Sequence, residues 1–273
     1  MKKIALTSLL AIFAVSGAHA ANVIDGNPLY MPGQNHFYSV TALGSHSGSN
    51  DIKSWKMNEE FGYGITDRFG VKIATTVEDQ RSFDQWAWGD FDLGAAYRML
   101  DMGAWKADLV GQYSVEPVWG NHVSFLDKNA TEYTWTAGVR GGYTTSQFTV
   151  AGHALFNYWN TESFNWNEDA GQRGVHALVL GLDGQFVIDS NWSVLAGVEY
   201  TGIMDKEWRG APGATVKNAG EWTGELGVNY NIDSTKFVGA YISGEMDHQG
   251  GTNRDEWDVK DGFGFGAKFG IDF

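Results

Sequence analysis

Between Asn35 and Phe273 the chain alternates, residue by residue, between apolar side chains and polar or very small ones. The pattern is clearest at the end. Phe263, Phe265, Ala267, Phe269, Ile271 and Phe273 are separated by Gly264, Gly266, Lys268, Gly270 and Asp272. The same pattern runs through Trp222, Gly224, Leu226, Val228, Tyr230 and Ile232, and through Trp192, Val194, Ala196, Val198 and Tyr200. A period of two belongs to a strand with two different faces, and it excludes a helix over these segments. Taken along the chain, it predicts strands over 35–45, 54–65, 69–79, 88–100, 104–116, 132–144, 148–159, 175–188, 192–203, 220–232, 236–246 and 261–273. All four prolines, Pro28, Pro32, Pro117 and Pro212, fall outside these segments. That is where a residue with no N–H to give a sheet has to be.

The connections differ at the two ends of these strands. Thr66-Asp67-Arg68, Asp101-Met102-Gly103, Thr145-Ser146-Gln147, Asp189-Ser190-Asn191 and Asp233-Ser234-Thr235 are short and built from turn-forming residues. Segments 117–131, 160–174, 205–219 and 247–260 are long and polar. Tight turns at one end and long loops at the other are the asymmetry of a transmembrane antiparallel up-and-down β-barrel. The expectation is an all-β, single-domain barrel of about twelve strands over residues 21–273, with both termini at the short-turn, periplasmic end.

Residues 1–20 read as a signal peptide. Lys2 and Lys3 precede an apolar stretch from Ile4 to Val15, and Ala18-His19-Ala20 has the small-x-small pattern of a cleavage site. The apolar stretch is shorter than the ~20 residues a spanning helix requires. This predicts export through the periplasm to the outer membrane of a Gram-negative bacterium. The chain has no cysteine, so it has neither disulfides nor a thiolate ligand. Asp and Glu number 33 against 19 Lys and Arg, for a formal charge of −14. Such a balance repels the phosphate backbone and argues against a nucleic-acid partner.

A soluble barrel with a greasy interior has the same alternation, so the outward face has to be chosen on other grounds. Aromatics recur eight residues apart on one face, as in Trp55/Tyr63, Trp105/Tyr113, Phe148/Phe156, Trp192/Tyr200 and Trp222/Tyr230. At ~3.3 Å per residue and ~40° tilt, eight residues climb about 20 Å, near the height of a lipid-facing band. Charges occupy the opposite face. On the first six strands these are Lys72, Asp90, Asp92, Arg98, Lys106, Asp108 and Arg140. On the later strands they are Asp183, Glu199, Glu225 and Lys268. These eleven are the candidate pore-lining residues. The terminal Phe273 closes the last strand in the form of a signal for outer-membrane assembly machinery.

Three details do not resolve. Segments 35–45 and 236–246 are apolar on both faces, so their register is open. Strict alternation from Trp55 to Ile65 turns Glu59 toward lipid, and a bulge near Glu59-Glu60 would remove that conflict.

The run Phe61-Gly62-Tyr63-Gly64-Ile65-Thr66-Asp67-Arg68-Phe69-Gly70-Val71, followed by Gly89-Asp90-Phe91-Asp92-Leu93-Gly94-Ala95-Ala96-Tyr97-Arg98, resembles a hairpin pattern of the porin-like outer-membrane β-barrel family of the phenol-degradation meta-pathway type. The resemblance covers about a quarter of the chain. It implies the barrel architecture and, for the family, a channel for small and often hydrophobic molecules.

The function expected from the residues is passive diffusion of small solutes through a charge-lined lumen. Arg98, Lys106 and Arg140 would face Asp90, Asp92 and Asp108 to give a transverse field. The other possibility for these charges is that they pair and fill the interior. No enzyme, cofactor or metal site is expected. His36, His46, His122, His153, His176 and His248 lack metal-ligand spacing. His153 should face inward, and His176 should face lipid. A hydrolase would need Ser124 or Ser163 beside His122, or the acids Glu162, Glu168, Asp169 and Asp247 with His248. Ordinary loop polarity is the preferred explanation of these residues, since the loops are acidic throughout. Trp86, Trp88, Trp119, Trp159, Trp166, Trp208 and Trp257 lie in or near long loops, where they would pack or stack on solutes. Expected partners are outer-membrane lipid, lipopolysaccharide, the barrel assembly machinery and small solutes. A non-conducting surface or structural protein working through its loops is the alternative.

Overall fold

In the computed structural model, residues 27–48, 53–79, 86–118, 130–163, 174–204, 208–211, 214–252 and 262–273 are described. The expected signal peptide, Trp119, His122, Ser124, Trp166, Glu168, Asp169 and Trp257 lie outside these residues.

Each period-two segment is a strand. In chain order they are β1 (Phe37–Gly48), β2 (Lys53–Thr66), β3 (Phe69–Asp79), β4 (Trp86–Met102), β5 (Trp105–Val118), β6 (Ala130–Thr144), β7 (Phe148–Ser163), β8 (Val175–Val187), β9 (Trp192–Ile203), β10 (Trp208–Ala211), β11 (Ala214–Asn231), β12 (Lys236–Thr252) and β13 (Gly262–Asp272). Every pairing is antiparallel; apart from β9–β11 each joins consecutive strands, and β13 pairs with β1 to close the sheet. β9 pairs directly with β11, so twelve strands form the cylinder. β10 is a short extra strand on the loop-end extension of β11. It was not expected. Several strands also run past their expected ends on the long-loop side, to Ser163 in β7 and Thr252 in β12. Beyond the apolar band no solvent contrast sustains alternation, so the pattern fades before the hydrogen-bonded ladder does.

The five short turns form as their residues predict, each held by the side-chain oxygen of its first residue. Asp189 Oδ1 accepts from the N–H groups of Asn191 and Trp192 at 2.8 and 2.9 Å. Thr145 Oγ1 accepts from Gln147 and Phe148, Asp101 from Gly103 and Thr66 from Arg68. Gly103 supplies the positive φ of its turn, 72°. Asp233 accepts from both the N–H and the hydroxyl of Thr235. Those bonds, the backbone one foremost, hold its carboxyl below the usual carboxylate range.

The large apolar side chains point outward. Phe61, Ile73, Leu93, Leu109, Leu180, Leu226 and Phe265 are each about half exposed on the outer wall. Aromatics ring this wall at two heights. At the turn end Phe37 stacks on Tyr63 with centroids 4.4 Å apart, and Trp105 meets Tyr143 at 5.0 Å. At the loop end Tyr113 lies 4.4 Å from Trp135, and Tyr200 lies 4.9 Å from Trp222. A cylinder that is apolar outside, belted by two aromatic girdles and free of sheet edges is the form that can stand in hydrocarbon.

The open registers are settled by the ladders. In β1, Phe37 and Leu43 face out, while Tyr38, Val40 and Ala42 face in and are buried. In β12, Val238 and Ile242 face out and Phe237 faces in. Glycine makes room for such inward rings. A Cβ at Gly62 would sit 1.9 Å from the Tyr38 ring, and one at Gly270 would sit 2.1 Å from Phe237.

No bulge at Glu59-Glu60 removes the conflict there. β2 pairs continuously with β1 and β3 through Thr41↔Glu59↔Thr75. Glu59 stays on the outer face, where the hydroxyls of Ser39 and Thr41 donate to its two oxygens at 2.6 and 2.5 Å. The conflict is resolved by local hydrogen bonds rather than by a register change. Irregularities do occur elsewhere, between Thr75/Val77 against β4, between Arg98/Leu100 and between Gly64/Thr66.

Candidate functional site: the lumen

Alternation carries the charged residues inward, where they meet as pairs. On the wall formed by β2 to β6, Lys72 reaches Glu60 at 2.9 Å, and Glu60 also accepts from the Tyr38 hydroxyl at 2.8 Å. Lys56 pairs with Glu78. Arg98 Nε donates to Asp108 Oδ1 at 2.6 Å, and Arg140 Nη2 donates to Asp108 Oδ2 at 2.7 Å. The register Arg98↔Asp108↔Arg140 places all three in one row. Of the two readings open to these charges, Arg98, Asp108 and Arg140 follow the second and pair along one wall. Neighbouring strands share a wall, so the two guanidiniums clasp one fully buried carboxylate between them. Asp90 and Asp92 are buried on β4. Lys106 is half-buried at the turn end, opposite Asp101 in register.

On the other wall, His153 points inward as expected, with Nδ1 3.3 Å from Asp183 and Nε2 2.9 Å from Glu199. Lys268 donates to Glu225 at 2.6 Å and lies 4.4 Å from the centre of the Tyr241 ring. His176 faces outward between Phe156 and Tyr158. All eleven candidates are on strands that line the interior, and most are committed to partners. Such buried pairs hold only because each charge is matched.

Sequence reasoning missed Lys56, Glu60, Glu221 and Glu245, which also face inward. It also missed the segment before β1. Residues 27–36 do not lie outside the barrel but turn into its mouth. Gln34 N–H donates to Asp67 Oδ1, and Asn35 N–H donates to the Gly64 carbonyl, which fixes the bend at the β2–β3 turn. Asn35 takes a φ of 64° there. Leu29 is fully buried, and its carbonyl accepts from Arg98 Nη2 at 2.6 Å. The Tyr30 carbonyl accepts from Arg140 at 3.4 Å, and the Tyr30 hydroxyl donates to Asp272 at 3.2 Å. Asn27 reaches Thr144 on β6. The segment thus crosses the turn end of the lumen from β2–β3 to β6. The only hint in the sequence is Pro28-Leu29-Tyr30-Met31-Pro32, an apolar run that cannot be strand and needs cover.

Above the segment lies a cavity of about 110 Å³. Tyr30, Met31 and Pro32 form one side, and Val110, Leu155, Lys72, Gln112, Arg140 and His153 form much of the other. It is large enough to hold water or a small solute. Among the described residues no group of His, Asp and Glu is placed to hold a metal ion. Ser163, Glu162, Asp247 and His248 fall at strand ends whose side chains are not described, and no catalytic constellation can be built on them.

No family model matches the chain, and no curated protein matches it. Solved structures do. The NanC porin aligns with TM-score 0.57 at 11% identity, covering 85% of this chain and 98% of its own. The COG4313 outer membrane channel from Pseudomonas putida F1 aligns with TM-score 0.56 at 12% identity, covering 89% and 97%. The translocator domain of the autotransporter NalP from Neisseria meningitidis aligns with TM-score 0.55 at 10% identity, covering 98% and 94%. At these identities the likeness is one of fold, and the fold is that of the closed outer-membrane barrel.

Proposed function

We propose that the protein is an outer-membrane channel for passive diffusion of small solutes, closed down at its turn end by residues 27–36. The observation that carries this reading is the pairing of an apolar outer wall with an interior of charged groups around a cavity. Two of the similar folds, the NanC porin and the COG4313 channel, are named as a porin and a channel, which supports it. Selection would be steric and electrostatic, without chemistry or cofactor. Residues 1–20 would serve as the export signal, and the termini would face the periplasm. Phe273, 65% exposed at the end of β13, would be read by the assembly machinery. Membership of the phenol-degradation meta-pathway type of family belongs with these proposals.

Purified, folded protein in a planar bilayer should give discrete conductance steps. A silent bilayer with demonstrably inserted protein would remove the channel reading. It would leave a non-conducting surface protein, the reading favoured by the two arginines holding residues 27–36 in the lumen. An assay for lipid and peptide hydrolysis on the same sample tests the expectation that no enzyme is present.

A further inference from the structure

Three inward rows of side chains cross β3 to β7 around the cavity. The middle row is small or apolar: Gly70, Ala96, Val110, Gly138 and Leu155 are successive register partners. The row toward the turn end is charged, with Arg98, Asp108, Arg140 and His153. The row toward the loop end is Lys72, Gly94, Gln112 and Thr136. Successive rows are two residues apart, about 6.6 Å along a strand. The cavity of about 110 Å³ lies between Val110 and Leu155 of the middle row and Met31 and Pro32 of the segment before β1.

The ionisable side chains of basic type that line the cavity are Lys72, Arg140 and His153, and among its described lining residues there is no acid. The acids that match these groups are off the lining. Glu60 holds Lys72, Asp108 holds Arg140, and Asp183 and Glu199 take the two nitrogens of His153. Donors are left over. The Lys72 ammonium has three, and Glu60 accepts one. Its stem lies across Gly94, where a Cβ would come within 2.7 Å of it, so the glycine makes room for this lysine over β4. Thr136 is the second and independent sign of a ligand. It is 7% exposed and lines the cavity, and its hydroxyl has no hydrogen-bond partner among the described residues. A buried hydroxyl left in that state marks a place for a bound polar group.

We infer that this cavity is a binding site for a small monocarboxylate. Its carboxylate accepts from Lys72 and from the Thr136 hydroxyl, and its alkyl part lies between Val110 and Leu155 on one side and Met31 and Pro32 on the other. A hydrogen bond from an ammonium to a carboxylate, shielded from water, is stronger than one between neutral groups. Arg140 adds a second positive charge from the turn-end row, with Nε and Nη2 committed to Asp108 and the Tyr30 carbonyl. Size narrows the class: a cavity of about 150 Å³ accepts benzene, so this smaller one suits an acid of about six non-hydrogen atoms. Binding of this kind goes beyond the channel reading and does not require conduction.

The test is equilibrium binding of butyrate to the full-length folded protein in phosphatidylcholine nanodiscs, followed by ligand-observed nuclear magnetic resonance. Butyramide, of the same size and without charge, is the comparison. Butyrate is expected to bind about tenfold more tightly than butyramide. Lys72→Gln should weaken butyrate by about tenfold and butyramide by less, and Thr136→Val should weaken butyrate by about threefold. Val110→Phe, which fills the middle row without altering a charge, should abolish binding of both. Glu59→Gln, on the outer wall, should change nothing. Should Lys72→Gln fail to fold, Thr136→Val and Val110→Phe carry the test. No saturable binding, equal affinity for butyrate and butyramide, or an affinity that the cavity variants leave unmoved would overturn the inference. None of these results depends on conductance, so the channel reading stands or falls separately in the planar bilayer.

Discussion

Arg98 on β4 donates a 2.6 Å hydrogen bond to the main-chain oxygen of Leu29, a residue 69 positions earlier in the chain. The same guanidinium holds Asp108 through its Nε. One side chain thus ties the barrel wall to the segment that narrows its mouth. In Arg98→Ala the carbonyl of Leu29 loses its donor, while Arg140 remains on Asp108. The expected result is a barrel destabilised by about 2–3 kcal/mol, with larger or more frequent conductance steps. Unchanged single-channel records in a folded variant would show that residues 27–36 do not limit conduction.

Gly64 offers an independent route to the same segment. A Cβ there would lie 1.9 Å from the Gly33 carbonyl oxygen and 2.6 Å from that of Pro32. Both neighbours are backbone, so neither can swing aside. Gly64→Ala should displace the segment without touching any charge in the lumen. Proteolysis of the folded protein from the turn-end side should then release residues before β1 faster than in the parent. Equal protection would refute the close approach.

Glu59 stands on the outer wall midway between Trp55 and Tyr63 in its strand. Carboxylates facing hydrocarbon are unfavourable, more so near the middle of the band. Glu59→Leu is expected to stabilise the barrel by about 1 kcal/mol in lipid. Thr41→Val should cost about 1 kcal/mol in the parent and close to nothing in the Glu59→Leu background. Denaturant unfolding of the four proteins in vesicles gives this cycle. Equal cost of Thr41→Val in both backgrounds would argue against the bond.

Lys268 and Glu225 are both nearly enclosed. Lys268→Met leaves a buried carboxylate without its cation and should cost about 3–5 kcal/mol. Adding Glu225→Leu should recover most of that loss. If the double variant is no more stable than the single one, the Tyr241 ring beneath Lys268 carries the larger share.

The β11–β12 turn carries a pH dependence. Because the Asp233 carboxyl is held below its ordinary range, its contribution is complete at neutral pH and is lost as pH falls through the lowered value. Nuclear magnetic resonance of the Thr235 amide should show a titration at that acid pH, and Asp233→Asn should abolish it.

The alternation of Phe263 to Phe273 is enough to make β13 a strand with one greasy face, because period two is a local property of the chain. The five turns are equally local, since each is closed by a side chain one to three residues from the groups it binds. The same reasoning put the eleven charged candidates and His153 on the inward face. It also turned Glu59 outward, as the ladder does, but it could not supply the partners that make an outward carboxylate tolerable, because Ser39 and Thr41 belong to another strand.

The sequence by itself determined which residues are strand, where the chain turns and which face is apolar, because these depend on neighbours one to four positions away. Only the tertiary structure decided what the inward charges do. Register across strands joins Arg98, Asp108 and Arg140 in one clasp, and closure of the sheet brings Leu29 against them. Register also sets Lys72, Gln112 and Thr136 in one row beside the cavity. Those relationships depend on distances between strands that no local pattern encodes.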